Sequence, residues 1–359
     1  MGKLEVSRRR TMKLKKFSAS LTAVVLGASI MFTGCGNKID TEATLVNING
    51  GEETISLGYG NFVAKYQQAV YDQYYMTYFG EDMWSSDIYG SGTTLEQDVK
   101  TAAVDGMKEQ YVLSLHLDEY SVSLTDEEKA AIEAAADSFM ASNNEETLEL
   151  MSATREYVVK MLTDETLAYK MKEAVKDSAD VNVTEEECWQ RTFSYAFFST
   201  TTAYDADGNS IEVTDEYVAS QKEAAEKVAA ATDFDAAAEE SGATVSTYSY
   251  TKGTTEDASF GMDVISKAEA MNKGDISSVI EVSDVGYYVI RLDEEHDAEA
   301  SETKKATLTS QQQAEFYNGI YEGWESAVTW ELDEELWNTV TFKVLFKAVE
   351  SEETEEAAN

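Results

Sequence analysis

The chain has 359 residues, of which 43% are hydrophobic and 11% aromatic, which is enough apolar material for packed cores in two or three domains. It carries 68 acidic against 28 basic residues, for a formal net charge of −40 at pH 7. This balance argues against nucleic acid as a partner, because phosphate binding needs clustered Lys and Arg side chains.

The N-terminal 35 residues have the pattern of a secretory signal. Six basic residues lie within residues 8–16, and no charged residue occurs from Phe17 to Gly34. This run is short for a stable membrane span and leads into FTGC, which resembles a bacterial lipobox. We expect removal of residues 1–34 and lipidation of Cys35, which anchors the chain outside the cytoplasmic membrane. The alternative is an ordinary signal peptide with an incidental cysteine.

After a tether at 35–43, residues 44–190 are predicted to form one domain. It begins with two short strands joined by a turn at Asn49-Gly50-Gly51. Aromatic residues at helical spacing then fill residues 61–84. This pattern is typical of an amphipathic helix packed on its neighbours, and alternatively of an apolar cradle for unfolded chains.

From residue 95 to residue 190 the sequence predicts helices throughout, with apolar residues every four positions. Two helix starts carry capping boxes, at Thr125 with Glu128 and at Thr184 with Glu187. There is no Gly-rich phosphate loop and no cluster of metal ligands in this block, so we expect no cofactor and no metal.

Cys188 is predicted to be a free thiol without a catalytic role. Once residues 1–34 are removed and Cys35 is lipidated, it has no cysteine with which to form a disulfide. A catalytic thiol needs an activating group such as histidine, and the chain contains only His116 and His296.

Residues 191–298 are predicted to form a second, mixed domain with the order β-α-α-β-α-β-β. The stretch DADGNS in its first part is interpreted as a turn rather than a calcium loop, since the glycine and the glutamate are misplaced for one. The last strand contains Tyr287 and Tyr288, which must point to opposite faces of a sheet.

Residues 299–348 are predicted to return to the first domain, followed by an acidic tail at 349–359. Phe316, Ile320, Trp324 and Val328 recur at four-residue steps, and Phe342, Val344 and Phe346 alternate as in a strand. This segment is too short to bury its own tryptophans, so we expect it to pack on the aromatic residues of 59–84.

These pieces, in this order, resemble the extracytoplasmic foldases of the PrsA/SurA type. The phrases that carry the resemblance are VNING, the pair VSLTDEE and VNVTEEE, ATDFDAAAEES, and MNKGDISSVIEVSDVGYYVI. The resemblance implies an α+β fold, in which a mainly helical chaperone domain contains an inserted parvulin-type peptidyl-prolyl isomerase domain.

The sequence departs from that family at the implied catalytic positions. Tyr195 and Tyr288 stand where the family has histidines, and the phrase GGdLG is replaced by YTKGTTEDASFG. The family's substrate-proline site falls near four apolar residues of this chain, Phe260, Met262, Val264 and Ile265. The two tyrosines either replace the imidazoles as hydrogen-bond donors or only fill core volume.

The resemblance therefore implies a lipid-anchored chaperone or foldase for unfolded or newly secreted polypeptides, with isomerase activity weak or lost. Two alternatives come from other classes of protein. A solute-binding lipoprotein of a transporter would alternate strand and helix through two lobes, against which the helical block at 95–190 argues. The other is a structural surface lipoprotein. The oligomeric state is left open.

Overall fold

The structure, a computed structural model, describes residues 39–346 apart from 205–207, 255–256 and 258. Cys35, the expected signal sequence and the acidic tail lie outside the described residues. The chain divides into two compact units: unit 1 comprises Met1–Asp177 and Tyr317–Asn359, and unit 2 comprises Ser178–Phe316. The predicted limits of the inserted domain, 191–298, stay a prediction.

The first segment of unit 1 is a β-hairpin followed by helices. Its elements are β1 Thr44–Ile48, β2 Glu53–Ser56, α1 Leu57–Tyr74, α2 Met76–Phe79, a 3-10 helix Glu81–Ser85, α3 Leu95–Ser114, α4 Asp126–Ser142, α5 Glu145–Met151 and α6 Arg155–Asp177. Asn49 has a φ of 49° and Gly50 a φ of 74°, as the predicted turn requires. The helical pattern of 61–84 ends at Gly80, whose φ of 80° is not helical.

Unit 2 contains the predicted order of strands and helices, together with one additional small hairpin. Its elements are α7 Glu185–Cys188, β3 Gln190–Ser199, β4 Ala203–Tyr204, β5 Ser210–Ile211, α8 Asp215–Ala229, α9 Phe234–Glu240, β6 Ser246–Thr251, α10 Met262–Glu269, β7 Ile280–Val282, β8 Gly286–Glu294 and most of α11 Ala298–Glu325. The predicted α+β fold class is confirmed. The capping boxes at Thr125 and Thr184 are also present.

Two further elements complete unit 1, β9 Trp330–Leu332 and α12 Glu334–Trp337. β9 pairs with β1 to give a three-stranded sheet of order β2-β1-β9. The named strands of both units pair only in antiparallel fashion within the described residues, unlike the two α/β lobes of the solute-binding alternative. No helix in the described part of the chain is both long and apolar enough to span a bilayer.

A buried polar stripe on α1 holds the C-terminal segment of unit 1. Lys65 and Gln68 are only 4% and 0% exposed. The ammonium of Lys65 donates to the carbonyl oxygen of Thr341, and the Gln68 amide donates to that of Val344 at 2.7 Å. The strand predicted from Phe342, Val344 and Phe346 is therefore wrong, because α1 side chains and not a neighbouring strand bind these carbonyl groups.

Asp72 completes the stripe one helical turn further along α1. Its carboxylate accepts from the indole Nε1 of Trp84 at 2.8 Å and from the backbone N–H of Phe346 at 2.8 Å. A third bond comes from the Gln68 amide at 3.2 Å. Asp72 is 5% exposed, so the Trp84 indole and the Phe346 N–H would lack a partner without it, whereas the Gln68 amide also donates to Val344.

The predicted packing of the C-terminal segment on residues 59–84 is correct for one tryptophan and wrong for another. Trp337 belongs to the same core cluster as Phe62 of α1. Trp324 instead stacks on His116, with ring centroids 4.0 Å apart. It lies in a separate cluster formed by α11 with α3 and α6.

Burial displaces the pKa values of the charged groups in the α1 stripe. It lowers the pKa of Lys65 to about 8 and raises the pKa of Asp72 to about 6. A carboxyl group with a raised pKa binds its proton more tightly in the folded state. The stability contributed by this bound proton is therefore greatest below the ordinary pKa of 3.8 and is lost as the pH rises through about 6, whereas the hydrogen bonds to Trp84 and Phe346 remain.

We predict that lowering the pH from 7 to 5 raises the free energy of unfolding of the wild-type protein relative to Asp72→Asn by about 1 kcal/mol. The physical reason is the raised pKa of Asp72, which Asn cannot reproduce. Urea denaturation of both proteins at the two pH values measures it. If the free energy of unfolding changed equally with pH in the two proteins, the raised pKa of Asp72 would be contradicted.

Candidate functional site

Five aromatic side chains meet on one face of the four-stranded sheet of unit 2. The strand order is β6-β3-β8-β7, so β3 and β8 lie at its centre. β3, β6, β8 and the segment before α10 contribute Phe260 and the four rings that contact it, which we call the aromatic cluster: Phe193, Tyr195, Tyr248, Phe260 and Tyr288. The opposite face of the sheet packs on α8 and α9 and contains Tyr287. The predicted separation of Tyr287 from Tyr288 is confirmed.

Phe260 lies at the centre of the aromatic cluster. Its ring centroid is 4.6 Å from that of Tyr248 and 5.0 Å from that of Tyr195. The Phe193 and Tyr288 rings follow at 5.4 Å and 5.6 Å, both in edge-to-face geometry. Because Phe260 is only 6% exposed, the surrounding tyrosines supply most of the accessible surface of the cluster.

The structure brings Tyr195 and Tyr288 together, as the resemblance implied. Their ring centroids are 6.1 Å apart, and both side chains are half-buried. Burial raises the pKa of Tyr288, and the neighbouring Tyr195 raises it further. The Tyr288 hydroxyl is therefore protonated at neutral pH and can donate a hydrogen bond.

A carboxylate beside the aromatic cluster was missed by the sequence analysis. Tyr248 donates its hydroxyl to Asp257, with oxygen–oxygen distances of 3.0 and 3.2 Å. The same carboxylate accepts from the backbone N–H groups of Ser259 and Phe260, each at 2.9 Å. Asp257 thus fixes the turn that places Phe260. An aspartate followed two residues later by serine is a turn signal that could have found it.

The other predicted substrate-binding residues lie at different depths. Val264 and Ile265 are 0% exposed and pack beneath Phe260 in the core of α10. Met262 is 38% exposed at the first turn of α10. Met262 is thus the member of this group with substantial accessible surface, and the role of all four residues in substrate binding stays a prediction.

Neither histidine of the chain belongs to the aromatic cluster. His296 stacks on Trp189 with ring centroids 4.1 Å apart, and His116 belongs to unit 1. Cys188 is buried, and its thiol donates to the carbonyl oxygen of Thr184 at 2.9 Å. Across the described residues there is no group of three His, Cys, Asp or Glu side chains that could hold a metal ion.

The comparison with known families concerns this unit. A family model described as the PPIC-type PPIASE domain matches residues 190–307, which include β3 to β8 and the whole aromatic cluster. No curated protein matches the chain closely enough to count as a relative.

Several solved structures are similar to the chain at low identity. Foldase protein PrsA from Streptococcus pneumoniae is 16% identical, with 67% of this chain and 89% of that chain covered and a TM-score of 0.30. For the SurA-like chaperones PEB4 and Cj1289 of Campylobacter jejuni the match has 10% identity, 81% and 98% coverage and a TM-score of 0.27. A PrsA peptidylprolyl isomerase from Bacillus cereus is 15% identical, with 64% of this chain and 83% of that chain covered and a TM-score of 0.29.

The TM-scores of these structural matches are all low. The assignment of residues 190–307 therefore rests on the match to the family model. Residues 190–307 match the PPIC-type PPIase domain family, which confirms for this part of the chain the predicted parvulin-type domain.

Proposed function

We propose that the protein is a membrane-anchored extracytoplasmic foldase that binds unfolded or newly secreted polypeptides and isomerises their prolyl bonds weakly at most. One observation supports this more than any other. The PPIC-type domain has an aromatic cluster around Phe260, while Tyr195 and Tyr288 occupy the positions that the resemblance assigns to histidines.

The aromatic cluster has the properties needed to bind a prolyl ring. Prolyl isomerisation breaks no covalent bond, and its barrier of about 20 kcal/mol comes from amide resonance. An apolar surface favours the twisted amide, which has lost part of its charge separation, over the planar one. Met262 and the half-buried rings of Tyr195 and Tyr288, which pack around Phe260, offer such a surface.

Efficient catalysis needs more than binding. A donor to the prolyl nitrogen must be held in place when the amide twists, and such placement depends on a hydrogen-bonded network. Within the described residues, no hydrogen bond fixes either hydroxyl, whereas Tyr248 is held by Asp257. We therefore propose that proline-containing segments bind here and turn over slowly.

Removing either tyrosine hydroxyl should leave the slow isomerase activity within about twofold of wild type. We predict this for the single variants Tyr195→Phe and Tyr288→Phe, because neither hydroxyl is held in position. The measurement is a protease-free isomerisation assay, by NMR exchange, on a short Xaa-Pro peptide. Rapid wild-type catalysis that either substitution abolishes would instead make the tyrosines catalytic.

The proposed anchor rests on the basic segment, the apolar run and the FTGC motif. Residues 1–34 contain seven basic residues and one acidic residue, so their removal takes the net charge from −40 to −46. Anionic lipid repels such a body, and a single acyl chain gives only marginal membrane binding. Two or three acyl chains on Cys35 would supply enough buried CH₂ groups to hold it.

We predict that Cys35→Ala releases the protein from the membrane fraction and lowers the mass of the mature chain by the mass of the lipid. Intact-mass analysis and membrane partition of the variant and the wild type measure both effects. Equal partition, with masses that differ only by the side-chain change, would contradict lipidation.

A further inference from the structure

Five exposed aromatic side chains form a patch at the end of α1 and in the segments that follow it. They are 45% to 81% exposed, and we call them the tyrosine patch: Tyr74, Tyr75, Tyr78, Phe79 and Tyr89. The seven other exposed large apolar side chains of the described residues are distributed over several elements of both units, as is usual for a protein surface. A contiguous aromatic surface of this kind marks an interaction site.

The tyrosine patch is attached to the core of unit 1 by ring contacts. Tyr71 lies 5.1 Å from Tyr75 and 5.6 Å from the buried ring of Trp84, between ring centroids. The Tyr75 and Phe79 rings are 6.5 Å apart. Trp84 in turn donates to Asp72, so the base of the patch is held by the polar stripe of α1.

Tyr89 joins the same surface from the loop after the 3-10 helix. Burial first, and the neighbouring Tyr89 hydroxyl second, raise the pKa of Tyr71 to about 12. The loop is shaped by Asp87, whose carboxylate accepts from the backbone N–H groups of Ser91 and Gly92, each at 2.9 Å. The loop that contains Tyr89 and the end of α1 therefore present one aromatic surface.

The charge around the tyrosine patch is negative. No Lys or Arg occurs in residues 66–99, and the flanking Lys65 and Lys100 are buried. Exposed carboxylates lie in the same segment, at Asp82 and Asp87 among others. A cation placed on this surface meets aromatic faces and carboxylates, whereas anionic lipid or a second copy of this acidic chain is repelled.

We infer that the tyrosine patch binds extended polypeptide segments in which Lys or Arg residues alternate with apolar ones. This inference rests on the proposed function, since it names the class of unfolded segment that unit 1 takes. Each Lys or Arg side chain gains a cation–π contact with a tyrosine face, and its charge is balanced by the carboxylates nearby. Apolar residues between the cations cover the rings.

The direct test is fluorescence anisotropy of a labelled twelve-residue peptide with four arginines and three leucines separated by glycine and serine. The triple variant Tyr75→Ser, Tyr78→Ser, Phe79→Ser should bind it at least about tenfold more weakly, from the loss of several cation–π contacts. Asp82→Lys, which leaves the rings in place, should weaken binding about fivefold. The matched control Tyr204→Ser, Ile211→Ser removes exposed apolar side chains of unit 2 and should leave binding unchanged.

A peptide with glutamate in place of arginine separates charge recognition from general apolar binding, and should not bind. Unchanged binding in both patch variants would overturn the inference. So would binding of the wild type to phosphatidylcholine vesicles, with or without phosphatidylglycerol, that only the triple variant loses while peptide binding is unaffected. The patch would then be a membrane contact.

Aggregation of reduced lysozyme, a basic client, distinguishes this inference from the proposed function. Suppression by the wild type that the triple variant loses supports both. Equal suppression by wild type and triple variant would overturn the role of the patch and leave the foldase proposal standing. Absence of suppression by the wild type of this client and of an acidic unfolded client would contradict the foldase proposal itself.

Discussion

Replacing Asp72 with alanine should lower the free energy of unfolding of unit 1 by about 3 to 5 kcal/mol at pH 7. The substitution leaves the indole of Trp84 and the backbone N–H of Phe346 buried without an acceptor. It also removes a carboxylate whose charge favours the ammonium of the buried Lys65. Unpaired buried donors and an uncompensated buried charge are among the largest sources of mutational destabilisation.

Urea denaturation followed by far-UV circular dichroism measures this effect, with Asp82→Ala as the matched control. Asp82 is an exposed acidic residue of the same unit, so its loss should change stability by no more than about 0.5 kcal/mol. Hydrogen exchange should also show faster exchange in residues 341–346 of the Asp72 variant. Equal stability of the two variants would mean that the α1 stripe does not hold the C-terminal segment.

Gly286→Ala should destabilise unit 2 by about 3 kcal/mol or more. Gly286 begins β8 with a φ of 153°, where side chains are disfavoured. A Cβ atom there would lie 2.3 Å from the carbonyl oxygen of Phe198 and 2.9 Å from the ring of Phe197. Since Gly286 pairs with Ser199 in the central strands, relief of these clashes must separate β3 from β8.

The matched control for this substitution is Gly261→Ala in the same unit. A Cβ atom at Gly261 would be 3.8 Å from its nearest neighbour, Val282, which is an ordinary contact. Hydrogen exchange of the β3 and β8 amides, measured by mass spectrometry, should accelerate in Gly286→Ala and be unchanged in Gly261→Ala. Similar protection in both variants would contradict the predicted clash.

Local sequence signals predicted much of the fold. The turn at Asn49-Gly50-Gly51, the capping boxes at Thr125 and Thr184, and the element order of 191–298 depend on residues close together in the chain. Only the family resemblance could predict that Tyr195 lies beside Tyr288, because the two residues are on strands far apart in sequence.

The features that could not be predicted depend on distant partners. No local signal marks Lys65 and Asp72 as buried, and only the structure shows the C-terminal segment that covers them, some 274 residues further along the chain. The strand predicted from Phe342, Val344 and Phe346 is wrong for the same reason. Alternation describes which side chains are buried, whereas a strand also needs a neighbouring strand for its backbone hydrogen bonds.

The exposure of the tyrosine patch also could not be predicted from local sequence. Helical spacing in 61–84 could not separate Phe62, which is 0% exposed, from Tyr78, which is 81% exposed. The end of α1 and the break at Gly80 decide where burial stops, and these depend on how Trp84 returns to pack on Tyr71.

The isomerisation rate of the double variant Tyr195→His, Tyr288→His, compared with the wild type, tests the central claim most directly. We expect slow wild-type catalysis on a short Xaa-Pro peptide, and a rate at least about tenfold higher when both imidazoles are introduced beside Phe260. Rapid catalysis by the wild type that the two histidines do not increase would contradict the claim that the domain has kept its proline site and lost its catalytic groups.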